Sequence, residues 1–337
     1  MVFSGENTLI YAWANGLAAY DLAAGAQLWE KDSSKAKSVA ISGDGSKLAV
    51  TENGGDLGHF YDVATGEPLG YVDWFPQLKE SSTNDTFADP LNDLFALDDS
   101  GQYLAVSFDN GALYLMDRFD SGKTRILLEE SDYTYFEGGF FGGVLGVCAG
   151  DGATADFLAI DVPTGETVSA LSSNEAMHLR VCEDGFCLAQ SNVLVRLDPI
   201  TGEQTELAYT QEGILEFSHI PGRTLVQTQT GGLLFFDENA VLFDRHDITN
   251  DFADLAGEFA ALSGRDAQML QLLQMENYPE KTLATYPGDY FHDEARVTSS
   301  GNILLYSAEG AKVYGSDGTL LGETDFPVIK DWIYDLQ

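Results

Sequence analysis

Four aspartates near residue 250 have a spacing that would bring their carboxylates together. Consecutive members are 3, 4 and 3 residues apart, and residues three or four positions apart share one face of a helix. Carboxylate oxygens are the ligands that Ca²⁺ and Mg²⁺ prefer. The pattern indicates either a cation site or the solvated face of a short helix. The helical interpretation competes with the prediction of a strand around residue 259. The four residues are Asp244, Asp247, Asp251 and Asp254.

Two of the three cysteines lie close together in the sequence. Cys182 and Cys187 flank residues 183–186, which have the composition of a hairpin turn. Their side chains would then face each other across two strands. This arrangement predicts either a cross-strand disulfide or two small buried apolar residues. Neither a disulfide framework nor a CxxC metal motif is present.

The usual sequence patterns of catalytic residues are missing. The five histidines show no HxH, HxxxH or HExxH spacing, and no GxSxG nucleophile motif occurs. We therefore predict no catalytic residue and no cofactor. A composite site built by residues remote in sequence stays open, as does a carboxylate pair among the 54 acidic residues.

The composition is that of an acidic globular chain. Its 337 residues include 17 Lys and Arg against 54 Asp and Glu, a formal net charge of −37, and 44% of them are hydrophobic. This apolar content supports a folded core. The charge excludes nucleic acid as a partner because phosphates need clustered cations, and it disfavours an anionic membrane surface. It favours a basic partner. No run of 18 apolar residues occurs, so we expect no membrane insertion.

A short motif recurs along the chain: an apolar or aromatic residue, then Asp, then a short turn, in most copies ending in Gly. Successive aspartates of this motif are 41, 55, 44, 37 and 39 residues apart, and a last copy follows after 80 residues. The last interval equals about two periods, so one copy has lost its signature. The aspartates are Asp21, Asp62, Asp117, Asp161, Asp198, Asp237 and Asp317.

A second kind of turn lies upstream of the motif, and strand-like runs separate the turns. Residues 44–45, 184–185 and 300–301 are Asp-Gly or Ser-Gly pairs, which supply the positive φ that tight hairpins need. The runs between them, such as residues 47–51 and 103–107, have the length and composition of strands. One period therefore contains four antiparallel strands, which predicts an all-β fold, the β-propeller.

The blade pattern resembles two known repeat families. Residues 20–30, from Tyr20-Asp21 through Gly25 to Trp29, are similar to the end of a quinoprotein-like (PQQ-type) repeat. Residues 39–50 are similar to the first hairpin of a WD40-like blade. This resemblance covers nearly the whole chain and implies the propeller fold. The Trp-Asp dipeptide of WD40 repeats is absent, and so is the adjacent cysteine pair expected for a quinone site, so the resemblance does not imply a quinoprotein enzyme.

We expect a single domain over residues 1–337, with eight four-stranded blades; seven blades with an insertion is the alternative. The first and last aspartates of the motif are 296 residues apart, or about seven periods. A C-terminal strand at 328–334 would close the ring by joining the N-terminal blade as its first strand. Alternatively, residues 3–5 belong to that first strand. The one long interval predicts an inserted loop at 75–91, with Trp74 and Phe75 at its root as candidate binding residues.

These features favour a non-enzymatic binding or scaffold module for a protein or peptide partner, and they leave open whether the protein is an enzyme. One alternative is a propeller enzyme of the lactonase, lyase or glycosidase type, with a metal or a carboxylate pair in its channel. The other is the sensor or ectodomain of a longer cell-envelope protein. The chain as given has no export signal, so an extracellular or envelope location requires a leader that was removed. An enzyme should show converging His and carboxylate side chains, and a binding module an exposed apolar patch.

Overall fold

The computed structural model describes residues 2–4, 8–13, 16–21, 24, 26–32, 36–52, 57–73, 90–108, 111–120, 124–129, 131–247, 252–257, 259–263, 269–274, 282–287, 294–298, 300–307 and 310–324. They contain 32 strands and no helix. The strands form eight four-stranded sheets, numbered here in chain order.

The first sixteen strands make up sheets 1 to 4. Sheet 1 contains β1 (Val2–Ser4), β2 (Thr8–Trp13), β3 (Gly16–Asp21) and β4 (Ala26–Asp32). Sheet 2 contains β5 (Ala36–Ile41), β6 (Lys47–Glu52), β7 (Leu57–Asp62) and β8 (Pro68–Asp73). Sheet 3 contains β9 (Pro90–Leu97), β10 (Tyr103–Phe108), β11 (Leu113–Asp117) and β12 (Arg125–Leu128). Sheet 4 contains β13 (Tyr135–Phe141), β14 (Val144–Gly150), β15 (Ala155–Asp161) and β16 (Thr167–Ser173).

The remaining strands make up sheets 5 to 8. Sheet 5 contains β17 (Met177–Cys182), β18 (Gly185–Gln190), β19 (Val193–Leu197) and β20 (Gln204–Tyr209). Sheet 6 contains β21 (Ile214–Ile220), β22 (Arg223–Thr228), β23 (Gly232–Asp237) and β24 (Leu242–Asp247). Sheet 7 contains β25 (Phe252–Ala256), β26 (Phe259–Ser263), β27 (Met269–Gln274) and β28 (Thr282–Pro287). Sheet 8 contains β29 (Glu294–Val297), β30 (Ile303–Ser307), β31 (Gly310–Tyr314) and β32 (Leu320–Thr324).

Within each sheet the strands pair with their chain neighbours, and all the pairings are antiparallel. The sheets are arranged as a ring, so the predicted class, an all-β propeller with four-stranded antiparallel blades, is confirmed. The first strand of a sheet contacts the first strands of its neighbours, for example β17 beside β13 and β21. First strands therefore form the inner edge of the ring, and fourth strands form its outer rim.

The recurring Asp motif forms the turn between the third and fourth strands, as predicted. The carboxylate of Asp62 accepts hydrogen bonds from the backbone N–H of Thr65 (2.9 Å) and from its hydroxyl (2.8 Å). Gly66 then adopts a φ of 68°, which favours glycine. Asp161 and Thr164 repeat these two contacts. The turn is thus determined by residues three positions apart.

Side chains of some fourth strands join one sheet to the next. The indole Nε1 of Trp29 in sheet 1 donates a hydrogen bond to the carbonyl oxygen of Val63 in sheet 2, at 2.7 Å. Its ring covers Gly66, where an added Cβ would lie 2.7 Å from the indole. In the same way Arg125 of sheet 3 donates to the carbonyl oxygen of Val162 in sheet 4, at 2.8 Å. Buried apolar side chains fill the space between consecutive sheets.

Two predicted segments lie largely or wholly outside the described residues. Residues 74–89, which include Trp74, Phe75 and most of the predicted 75–91 loop, are not described; residues 90 and 91 begin β9. The predicted closing strand at 328–334 is not described either. In sheet 1, β1 pairs with β2 in the position of a first strand. Closure by the C-terminal strand stays a prediction.

Candidate functional site

The inner edge of sheets 4, 5 and 6 carries a cluster of charged side chains. It is built by Glu137 on β13, His178 and Arg180 on β17, and Glu216 on β21. Leu215 precedes Glu216 on the same innermost strand. We call these five residues the inner-edge cluster. They come from three sheets because first strands of neighbouring sheets lie side by side.

The centre of the cluster is a histidine held by a glutamate. Oε1 of Glu137 lies 2.9 Å from Nδ1 of His178, and Oε2 accepts the backbone N–H of Leu179 at 2.7 Å. The carboxylate is therefore fixed at both oxygens. The imidazole is half exposed, with 51% of its side-chain surface accessible. The hydrogen bond to Glu137 raises the pKa of His178 above its ordinary value, while burial acts in the opposite direction.

Arg180 connects three sheets at the inner edge. Its guanidinium forms an ion pair with Glu216 of sheet 6. It also donates hydrogen bonds to the carbonyl oxygens of Phe217 in sheet 6 (2.6 Å) and Leu255 in sheet 7 (3.4 Å). The guanidinium carbon lies 5.4 Å from the centre of the Phe217 ring. Such a planar group with several donors suits this bridging position, where a lysine would lose contacts.

Two apolar side chains on these innermost strands are exposed. Leu215 is 54% exposed beside Glu216, and Val181 is exposed beside Arg180. Val181 lies against Gly139 of sheet 4, where an added Cβ would come within 2.8 Å of Val181 Cγ2. The innermost strands of sheets 5 and 6 therefore present both apolar and charged groups to solvent.

One imidazole nitrogen of His178 can take part in proton transfer. With Nδ1 facing Glu137, the other imidazole nitrogen, Nε2, has no hydrogen bond to any described residue. An imidazole oriented in this way can accept or donate a proton at Nε2. No group of three or more His, Cys, Asp or Glu side chains among the described residues is suited to hold a metal ion.

Sequence patterns did not identify this pair. Glu137 and His178 are 41 positions apart, a separation of about one repeat. Equivalent positions of consecutive blades lie next to each other at the inner edge, so a search at the repeat period would have paired them. The spacings of classical metal or protease motifs are shorter and could not reveal it.

The four aspartates near residue 250 do not share a helix in the structure. Asp244 and Asp247 belong to β24, Asp254 belongs to β25, and Asp251 lies outside the described residues. Cross-strand pairing decides the conformation here, because each strand bonds to a neighbour within its sheet. The cation site itself stays a prediction.

Asp254 has a structural environment of its own. It is only 5% exposed, and its Oδ2 accepts the backbone N–H of Val297 in sheet 8, at 2.6 Å. Its Oδ1 lies 3.2 Å from the guanidinium of Arg296. The carboxylate thus joins sheets 7 and 8 in the way that Glu137 joins sheets 4 and 5.

Cys182 and Cys187 belong to the hairpin of β17 and β18. A disulfide joins them in the structure, with the two Cα atoms 6.2 Å apart. They are not direct partners, because Cys182 pairs with Gly185 and Cys187 pairs with Arg180. The bond therefore runs diagonally across the hairpin. Its presence in solution stays a prediction.

The fold and this geometry define the class of protein as a β-propeller. No family model matches the sequence, and no curated protein matches it. Solved structures resemble the whole chain at low identity. BamB from Moraxella catarrhalis is 12% identical, with 95% of this chain and 96% of that chain covered and a TM-score of 0.54.

Two further structures are similar. AztD from Citrobacter koseri, determined in its apo form, is 10% identical over 95% of this chain and 94% of that one, with a TM-score of 0.63. The dihydro-heme d1 dehydrogenase NirN, in complex with DHE, is 11% identical over 96% and 76%, with a TM-score of 0.62. At these identities the similarity shows the fold alone. None of the described residues forms a helix long and apolar enough to cross a membrane.

Proposed function

We propose that the protein is a non-enzymatic binding module that holds a protein or peptide partner at the inner-edge cluster. The observation that carries the proposal is the exposure of Leu215 on an innermost strand, beside charges that are already paired and fixed. A partner side chain that covers Leu215 removes apolar surface from water. Because the charged groups are held in place before binding, little ordering cost is added.

The partner we propose carries basic residues. Strands alternate in direction, so the turns after first strands and after third strands lie at the same end of the ring. Carboxylates recur in both sets of turns; those in described positions include Asp44, Asp98, Asp62, Asp161, Asp198 and Asp237. His178 and Leu215 lie at the starts of β17 and β21, which is the other end of the ring from these turns. The attraction of a cationic partner to the cluster therefore rests on the net charge of −37 as a whole, which also accelerates association.

Selection from a random peptide library on the immobilised full chain tests the proposal. We expect recovered peptides to combine apolar residues with Lys or Arg. Replacing Leu215 with aspartate should weaken their binding at least about tenfold, because a charge would then face the apolar part of the ligand. The matched control is Ile200→Asp, at a turn position that is 76% exposed and outside the cluster. Equal losses in both variants, or recovery of no peptide, would reject the site.

A second candidate function is a propeller hydrolase, and the Glu137–His178 pair favours it. A carboxylate that orients an imidazole is the arrangement of a general base. His178 Nε2 would take a proton from a water molecule as that water attacks an ester or lactone carbonyl. It would then give the proton to the leaving alkoxide oxygen as the acyl C–O bond breaks. Hydrolysis of a lactone panel, followed with a pH indicator, should then fall by about 100-fold or more in His178→Gln. Equal rates in the native protein and the variant would remove this candidate.

A further inference from the structure

We propose that His178 acts as a proton-controlled acceptor, which holds a Lys or Arg side chain of the partner at neutral to alkaline pH and releases it in acid. This inference rests on the function proposed above and adds its regulation. It follows from the direction in which Glu137 turns the imidazole.

The hydrogen bond to Glu137 decides which nitrogen is available. A carboxylate accepts hydrogen bonds, so Nδ1 of His178 carries the proton that faces Oε1 of Glu137, at 2.9 Å. In the neutral ring Nε2 then holds a lone pair. The ring is half exposed, and no described residue bonds to Nε2, so this lone pair is open to a ligand donor.

Protonation changes the site at the atom that would meet the ligand. The second proton can enter only at Nε2, because Nδ1 is already protonated. Nε2 then becomes a donor with a positive charge next to it. An ammonium or guanidinium group loses its acceptor and meets a like charge instead. Both effects weaken the binding of a basic partner.

The other charges around the imidazole do not cancel this change. Glu137 on β13 is engaged at both oxygens. Arg180, on the same strand as His178, is paired with Glu216 on β21. The added proton is therefore a change in the net charge of the cluster. Since Glu137 raises the pKa of His178 above the ordinary 6.5, the change should occur closer to neutral pH than for a free histidine.

The test measures fluorescence polarisation of a labelled Lys-containing peptide from the selection, between pH 5.5 and 8.5. For the native chain we expect affinity to fall at least about fivefold in acid. Because one proton is bound, affinity should change by at most tenfold per pH unit. His178→Gln should abolish the pH dependence. Glu137→Gln should move its midpoint to lower pH, together with the midpoint of the His178 ring signal in an NMR titration. The matched control is His59→Gln, in β7 of sheet 2, which should behave as the native chain does.

The outcomes separate the two proposals. Binding that is lost in Leu215→Asp but constant from pH 5.5 to 8.5 would overturn the proton control and leave the binding function standing. An equal pH response for a peptide with Lys replaced by Gln would overturn it as well, since no charge would then be recognised. Absence of peptide binding at every pH would overturn both.

Discussion

Replacing Phe186 with alanine is expected to lower the free energy of unfolding by about 3–5 kcal/mol. Phe186 lies on β18 and is fully buried between sheets 4 and 5. Its ring approaches Gly146 of sheet 4 so closely that a Cβ there would be 2.5 Å from it. The rings of Phe141 and Phe157, both from sheet 4, pack edge-on at 6.1 and 6.0 Å. No small side chain can restore these contacts, so a cavity would remain.

Equilibrium unfolding in urea measures this loss as a shift of the midpoint. The control is Phe119→Ala, because Phe119 is exposed, with the guanidinium of Arg118 lying 4.3 Å from its ring centre. Its removal should cost less than about 1 kcal/mol. A loss for Phe186→Ala as small as that of the control would mean that sheets 4 and 5 do not pack through this ring.

Replacing Asp254 with alanine is expected to lower the free energy of unfolding by about 2–4 kcal/mol. The substitution leaves the buried N–H of Val297 without its acceptor, and it removes the carboxylate that Arg296 faces at 3.2 Å. Asparagine at this position keeps an oxygen for the N–H of Val297 but loses the charge. Asp254→Asn should therefore lower the free energy of unfolding by less than Asp254→Ala does. The exposed Asp132 supplies the control, and Asp132→Ala should change stability by less than about 0.5 kcal/mol.

A double-mutant cycle separates the two contacts of Asp254. Arg296→Met removes the guanidinium and keeps much of the side-chain volume. If the ion pair contributes, the double variant should be less destabilised than the sum of the single variants. Strict additivity would show that the bond to Val297 accounts for the whole effect of Asp254, and a neutral Asp254→Ala would contradict the connection between sheets 7 and 8.

The local repeat could be predicted from sequence because its causes are local. In the Asp-x-x-Thr-Gly turns, the carboxylate of Asp62 reaches Thr65 only three positions ahead, and Gly66 follows with positive φ. The same contacts recur in later sheets, so a pattern of a few residues was enough to predict four strands per period. The fold class followed, because such sheets bury their faces only against one another.

The spacing of the aspartates near residue 250 did not predict their secondary structure, because both a helix and strands are compatible with it. Aspartates 3, 4 and 3 residues apart are compatible with a helix face, yet Asp244 and Asp254 belong to strands of different sheets. Backbone pairing with β23 and β26 decides the conformation there, and neither partner can be recognised from the aspartates themselves. For the same reason, the role of Asp254 as an acceptor for sheet 8 could not be foreseen.

The sequence by itself determined the repeat, the four antiparallel strands of each period and the acidic character of the protein, since these depend on neighbouring residues and on composition. Only the tertiary structure decided the candidate site. Glu137 meets His178 at a separation of 41 residues, and Arg180 reaches the carbonyl oxygen of Leu255 over 75. These contacts exist because the ring brings the first strands of different sheets together at its inner edge, an arrangement that no short stretch of the chain encodes.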